Sequence, residues 1–145
     1  MPLLIHHIDA IAREKQRGVL FVVFHHPASA IKDEREIYDR KDLIWQTLPT
    51  RRQIIDWLDA QGIAWRPCGD VADLNSMESY CGQIYVDVPY DESLPAFRAL
   101  TDFLELPDGS MRFSEATFLY LPLEKAMLNA AHDEPGFWDR WAQTF

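Results

Sequence analysis

Val19-Leu20-Phe21-Val22-Val23-Phe24-His25-His26 is the stretch on which the fold turns. Six apolar residues in a row, mostly valine and phenylalanine, suit a β-strand. Neighbouring side chains on a strand point to opposite faces, so a strand with one wet face alternates between apolar and polar. This one does not alternate, and both of its faces are therefore covered.

Three more strands are expected outward from it, over 64–68, 83–90 and 116–123, with helices over 51–61 and 93–106. The chain then reads strand–helix–strand twice, interlocked as βαββαβ. The simplest closure is α+β, a ferredoxin-like four-stranded antiparallel sheet in spatial order 4-1-3-2, built as a single domain over 1–145. Further helices are expected over 3–17 and 124–131, and 137–141 reads as an aromatic-rich terminal turn. Gly18 is read as the stop of the first.

Local signals support this order. Thr50 with Gln53 reads as a capping box for the helix over 51–61, Ile54, Ile55 and Leu58 form its buried face, and Gly62 supplies a left-handed stop. Ser93 reads as the cap of the second helix, whose inner face is Phe97, Leu100, Phe103 and Leu104. Tyr85 and Tyr120 are assigned to the sheet face away from these helices. There they would meet the terminal segments, a twin subunit or a small molecule.

Composition narrows the function. With 145 residues, 48% of them hydrophobic, the chain has material for a packed core. Its longest apolar run is too short to cross a bilayer, and the N-terminus lacks the features of a signal peptide. A cytoplasmic location without membrane partners is the expectation, and two cysteines suit a reducing compartment. The net charge of −9 is uneven: residues 1–66 carry 10 Lys and Arg against 9 Asp and Glu, whereas residues 67–145 carry 4 against 14. The second half, at −10, repels phosphate backbones and argues against nucleic acid as a partner.

Three long connections, over 27–49, 69–82 and 107–115, emerge at one edge of the expected sheet, while the opposite edge has tight turns. Loops on a rigid scaffold commonly carry function. The leading expectation is a non-enzymatic acidic module, inhibitor-like or immunity-like, that binds a basic protein through Asp70, Asp73, Glu78, Asp108 and Glu115 on those connections.

The alternative is a small metal- or thiol-dependent enzyme. His25 and His26 end the first strand, Cys68 ends the second and Cys81 opens the third, so imidazole and thiolate ligands for zinc would share the same edge. Cys68 and Cys81 would equally suit a reversible disulfide, or Cys68 a nucleophile with a histidine base. These residues lack the close Cys-x-x-Cys or His-x-x-x-His spacing of a strong metal motif, so no cofactor is expected. A third expectation is a small-molecule-binding homodimer that uses the open sheet face. The chain has no glycine-rich phosphate loop, dinucleotide fingerprint or Gly-x-Ser-x-Gly elbow.

Overall fold

A computed structural model of the chain describes residues 3–4, 10–27, 44–68, 82–128 and 130–143. The elements are β1 (Leu3–Leu4), α1 (Ala10–Lys15), β2 (Val19–Phe24), α2 (Pro49–Gln61), β3 (Trp65–Pro67), β4 (Ile84–Val86), α3 (Pro95–Leu104), β5 (Ala116–Leu121), α4 (Leu123–Met127) and α5 (Phe137–Ala142). Short 3-10 turns lie at Trp45–Thr47 and Ala130–Asp133.

The sheet has the order β1-β5-β2-β4-β3. Its four antiparallel strands, counted among themselves in chain order, run 2-3-1-4 from one edge, which is 4-1-3-2 from the other. The class is α+β. The departure is a fifth strand: β1 lies parallel to β5, with Leu3 opposite Leu119 and Leu4 opposite Tyr120. The helix expected over 3–17 is therefore corrected to a two-residue strand and a six-residue helix.

Strand β2 is buried at all six positions, as its unbroken apolar run requires. One face of the sheet, with Leu20, Val22, Phe24, Ile84, Val86 and Phe118, packs on Ile54, Ile55 and Leu58 of α2 and on Phe97, Leu100 and Leu104 of α3. The other face, with Val19, Phe21, Val23, Leu119 and Leu121, packs on Ile11 and Ala12 of α1 and on Ala126 of α4. The face away from the main helices is thus closed by short helices from both ends of the described chain. Tyr85 lies on this second face. Tyr120 packs against the first, because it alternates with Leu119 and Leu121. That placement corrects the pairing of the two tyrosines. Among the described residues no helix is long and apolar enough to cross a membrane.

Helix starts also differ from expectation. Leu48 and Leu94 occupy the cap positions of α2 and α3 without side-chain capping bonds, and Pro49 and Pro95 follow in the first turn. Proline there loses no hydrogen bond and arrives with helical φ, so a Leu-Pro pair starts each helix. Thr50 instead donates to Oε1 of Glu115 at 3.0 Å. Ser93 bonds Asp91 in the preceding turn. Gly62, at φ 69°, ends α2 as expected. The left-handed residue after α1 is Gln16, at φ 55°, and not Gly18. Gly18 is needed for another reason: the Tyr120 phenol occupies the space a Cβ would fill.

Candidate functional site

The strand registers define a rim. Phe24 at the end of β2 faces Ala116 at the start of β5, and Pro67 at the end of β3 faces Ile84 at the start of β4. The carboxyl ends of β2 and β3 and the amino ends of β4 and β5 therefore meet along one edge, where the long connections attach. Of these connections, residues 28–43 and 69–81 lie outside the described residues, and with them Asp70, Asp73, Glu78 and Cys81.

His25 stands at the rim, buried, with its backbone N–H donating to the Glu115 carbonyl at 3.0 Å. Its ring Nδ1 lies 2.7 Å from the His26 carbonyl and its Nε2 lies 2.7 Å from Thr117 Oγ1. A carbonyl only accepts, so Nδ1 carries a proton, and Nε2 shares its hydrogen bond with the threonine hydroxyl. A metal at Nε2 would have to displace that hydroxyl. His26 is half-buried beside it.

Cys68 is half-buried and packs against the second-face cluster, with its backbone N–H donating to Gln83 at 3.1 Å. Strand β4 lies between the strands of Cys68 and His25, a lateral separation of about 10 Å at the usual strand spacing. No group of three or more His, Cys, Asp or Glu gathers for a metal ion among the described residues.

The third connection is fully described, and it is a built turn. Glu105 bridges to Met111, Leu106 N–H donates to the Ser110 carbonyl at 2.8 Å, and Gly109 sits at φ 86°. Asp108 is exposed on this turn. Its carboxylate accepts from the Ser110 hydroxyl at 2.6 Å and the Ser110 N–H at 2.9 Å, and these bonds hold its pKa below the usual carboxylate range. Glu115, at the turn's far end, is half-buried and tied to Thr50 at the start of α2.

Sequence reasoning missed what this turn creates. Between it and the carboxyl end of α3 opens a groove of about 490 Å³, lined by Thr101, Asp102, Glu105, Leu106, Pro107, Gly109 and Arg112. The Arg112 guanidinium reaches the carbonyls of Asp102 and Phe103 at 3.1 Å each and of Glu105 at 3.4 Å, meeting the acceptors left at the helix end. The available signal was Asp102, an acid on the outer face of a helix whose inner face is Leu100 and Leu104.

A second charged cluster lies on the other face of the sheet. The Tyr85 hydroxyl donates to Asp87 at 2.6 Å, Arg17 pairs with Asp87, and the Lys15 and Arg66 cations sit 5.9 and 5.5 Å from the Tyr85 ring centre. Burial first, then the bond to Asp87, pushes the Tyr85 pKa up to about 12. The bond from Tyr85, followed by the charges of Lys15 and Arg17, holds Asp87 below its ordinary value. Arg66 pairs with Glu14 at 2.6 Å. These cations largely meet partners within the cluster, so it closes the sheet at Tyr85 and presents little unbalanced charge.

No family model, no curated protein and no solved structure matches this chain.

Proposed function

We propose that this protein is a non-enzymatic acidic interaction module, on a ferredoxin-like frame with an added edge strand, that binds a basic protein through the long-connection rim of its sheet. The action resembles that of an inhibitor or immunity-type protein: it covers a cationic surface. The observation that carries this reading is the coincidence of exposed Asp102 and Asp108 with the one rim connection described throughout. The charge of residues 67–145, at −10, extends the same sign over the second half of the chain. A field of that kind steers a basic partner in and excludes acidic ones.

The test is association with a basic protein followed as ionic strength rises from about 0.01 M to about 0.15 M, a range over which exposed charges become screened. Binding weakens with salt, and the double variant Asp102→Asn/Asp108→Asn associates more slowly. Binding that ignores salt, or that selects acidic partners, would sink the reading.

A further inference from the structure

We infer that the Asp108–Gly109 peptide bond is a self-modification site, at which the chain isomerises through a succinimide to isoaspartate, and that Ser110 is the residue that holds the reaction back. Whatever the rim binds, this inference stands apart from it. Asp108 is the only aspartate or asparagine in the chain that is followed by glycine. Ring closure needs the amide nitrogen of the following residue to reach the side-chain carboxyl carbon, and glycine has no Cβ to obstruct that approach. Residues 106–110 are all exposed, Gly109 sits at φ 86°, and no atom lies within 4 Å of where its Cβ would be. Packing therefore does not restrain this peptide unit, and only hydrogen bonds do.

In the first step the Gly109 nitrogen bonds to Cγ of Asp108, one Cγ–O bond breaks, and the amide proton leaves with the carboxyl OH as water. In the second, water adds to the ring. Cleavage at Cγ restores aspartate, whereas cleavage at the main-chain carbonyl leaves the chain running through Cβ and Cγ, one carbon longer. No oxidant or reductant takes part. Two sets of bonds oppose the first step. The Gly109 N–H is held by the Leu106 carbonyl at 2.9 Å, and Oδ1 of Asp108 accepts from the Ser110 hydroxyl at 2.6 Å and the Ser110 N–H at 2.9 Å. The bonds from Ser110 also keep the carboxyl ionised, and an ionised carboxylate has no OH to lose as water. An exposed turn opens locally at small cost, so the restraint slows the reaction and does not abolish it.

Incubation of the full chain in heavy-oxygen water near neutral pH, followed by peptide mapping, tests this. Each hydrolysed succinimide takes up one heavy oxygen, and isoaspartate separates from aspartate in the peptide that carries residue 108. The native chain is expected to react slowest. Ser110→Ala, which removes the hydroxyl bond and leaves the backbone one, reacts roughly fivefold faster, the factor expected for one lost hydrogen bond. The same chain unfolded in urea reacts fastest, and Asp108→Glu, whose longer side chain must close a larger ring, shows little uptake. A denaturation midpoint for Ser110→Ala equal to that of the parent assigns its faster rate to the turn and not to general unfolding. A Ser110→Ala rate no higher than the parent's, a native rate equal to the rate in urea, a lowered midpoint that accounts for the faster rate, or no uptake at residue 108 in urea would overturn the assignment.

Discussion

Tyr85 shows how one residue's chemistry depends on its place in the sheet. As a sequence position it is an aromatic in an alternating strand. In the structure it is buried, and its hydroxyl donates to Asp87. Its pKa of about 12 stands above the ordinary 10.0, so folding favours the neutral phenol. A group of this sign contributes stability in full below its unfolded value and loses it as pH climbs through the folded one. Unfolding by urea at a series of pH values between 10 and 12 is therefore expected to show a falling limb, which Tyr85→Phe flattens. A limb of the same slope in the variant would contradict the placement. Asp87 has the opposite sign: its pKa lies below 3.8, so its contribution is present above that value and fades as pH falls through the lowered one. Gly82 is constrained in another way. Its φ of 86° is left-handed, and the Trp45 side chain stands 2.8 to 2.9 Å from where a Cβ would be, so any larger residue meets both strain and overlap.

At the scale of elements, helix starts are where sequence signals and structure part. Thr50 and Gln53 stand three apart at a helix start and satisfy the capping-box pattern, yet Leu48-Pro49 begins α2 two residues earlier. The Thr50 hydroxyl then serves a tertiary contact, the carboxylate of Glu115. The two arrangements predict different variants. In the structure, Thr50→Ala costs about 0.5–1.5 kcal/mol, the worth of one hydrogen bond, and Gln53→Ala is close to neutral. A capping box would make both costly, and urea unfolding of the two variants separates the cases. The edge strand β3 shows a device that the pattern did not signal. Cys68 and Ala64 bond across to β4, so Pro67 turns its nitrogen outward. A proline there removes a donor from the exposed edge and leaves the ladder intact, which discourages another strand from adding.

Over the whole molecule, closure of the second sheet face depends on contacts far apart in sequence. Arg13 of α1 is buried, and its guanidinium forks onto Asp133 at 2.6 and 2.8 Å and donates to the Ala126 carbonyl at 3.1 Å. One side chain thus ties α1 to α4 and to the turn that follows. Asp133→Ala removes two of these bonds from a buried cation. Because Asp133 is itself 54% exposed, the expected cost is reduced to about 1–3 kcal/mol, read as a lower denaturation midpoint. An unchanged midpoint would show that this tie contributes nothing to closure.

How much was legible follows from the range of the forces involved. The apolar run of β2, the alternation of β5 and the faces of α2 and α3 could be read from neighbouring residues, since periodicity is local and burial selects it directly. That reading reached the α+β class and the antiparallel strand set, and it marked Asp108 and Glu115 as lying on one rim. Other features needed the chain to be closed. Two residues of β1 carry no period, and their pairing with β5 depends on a neighbour more than a hundred positions away. The groove beside Asp102 exists only because the 105–111 bridge folds a turn back onto the end of α3. Tyr120 was placed on the wrong face because assigning alternation to a face requires knowing which side the helices cover. Sequence by itself determined the buried runs of β2 and β5 and the buried faces of α2 and α3, because hydrophobic periodicity is written along the chain. Tertiary structure alone decided which polar groups meet, because hydrogen bonds and ion pairs form between residues that only folding brings within about 3 Å.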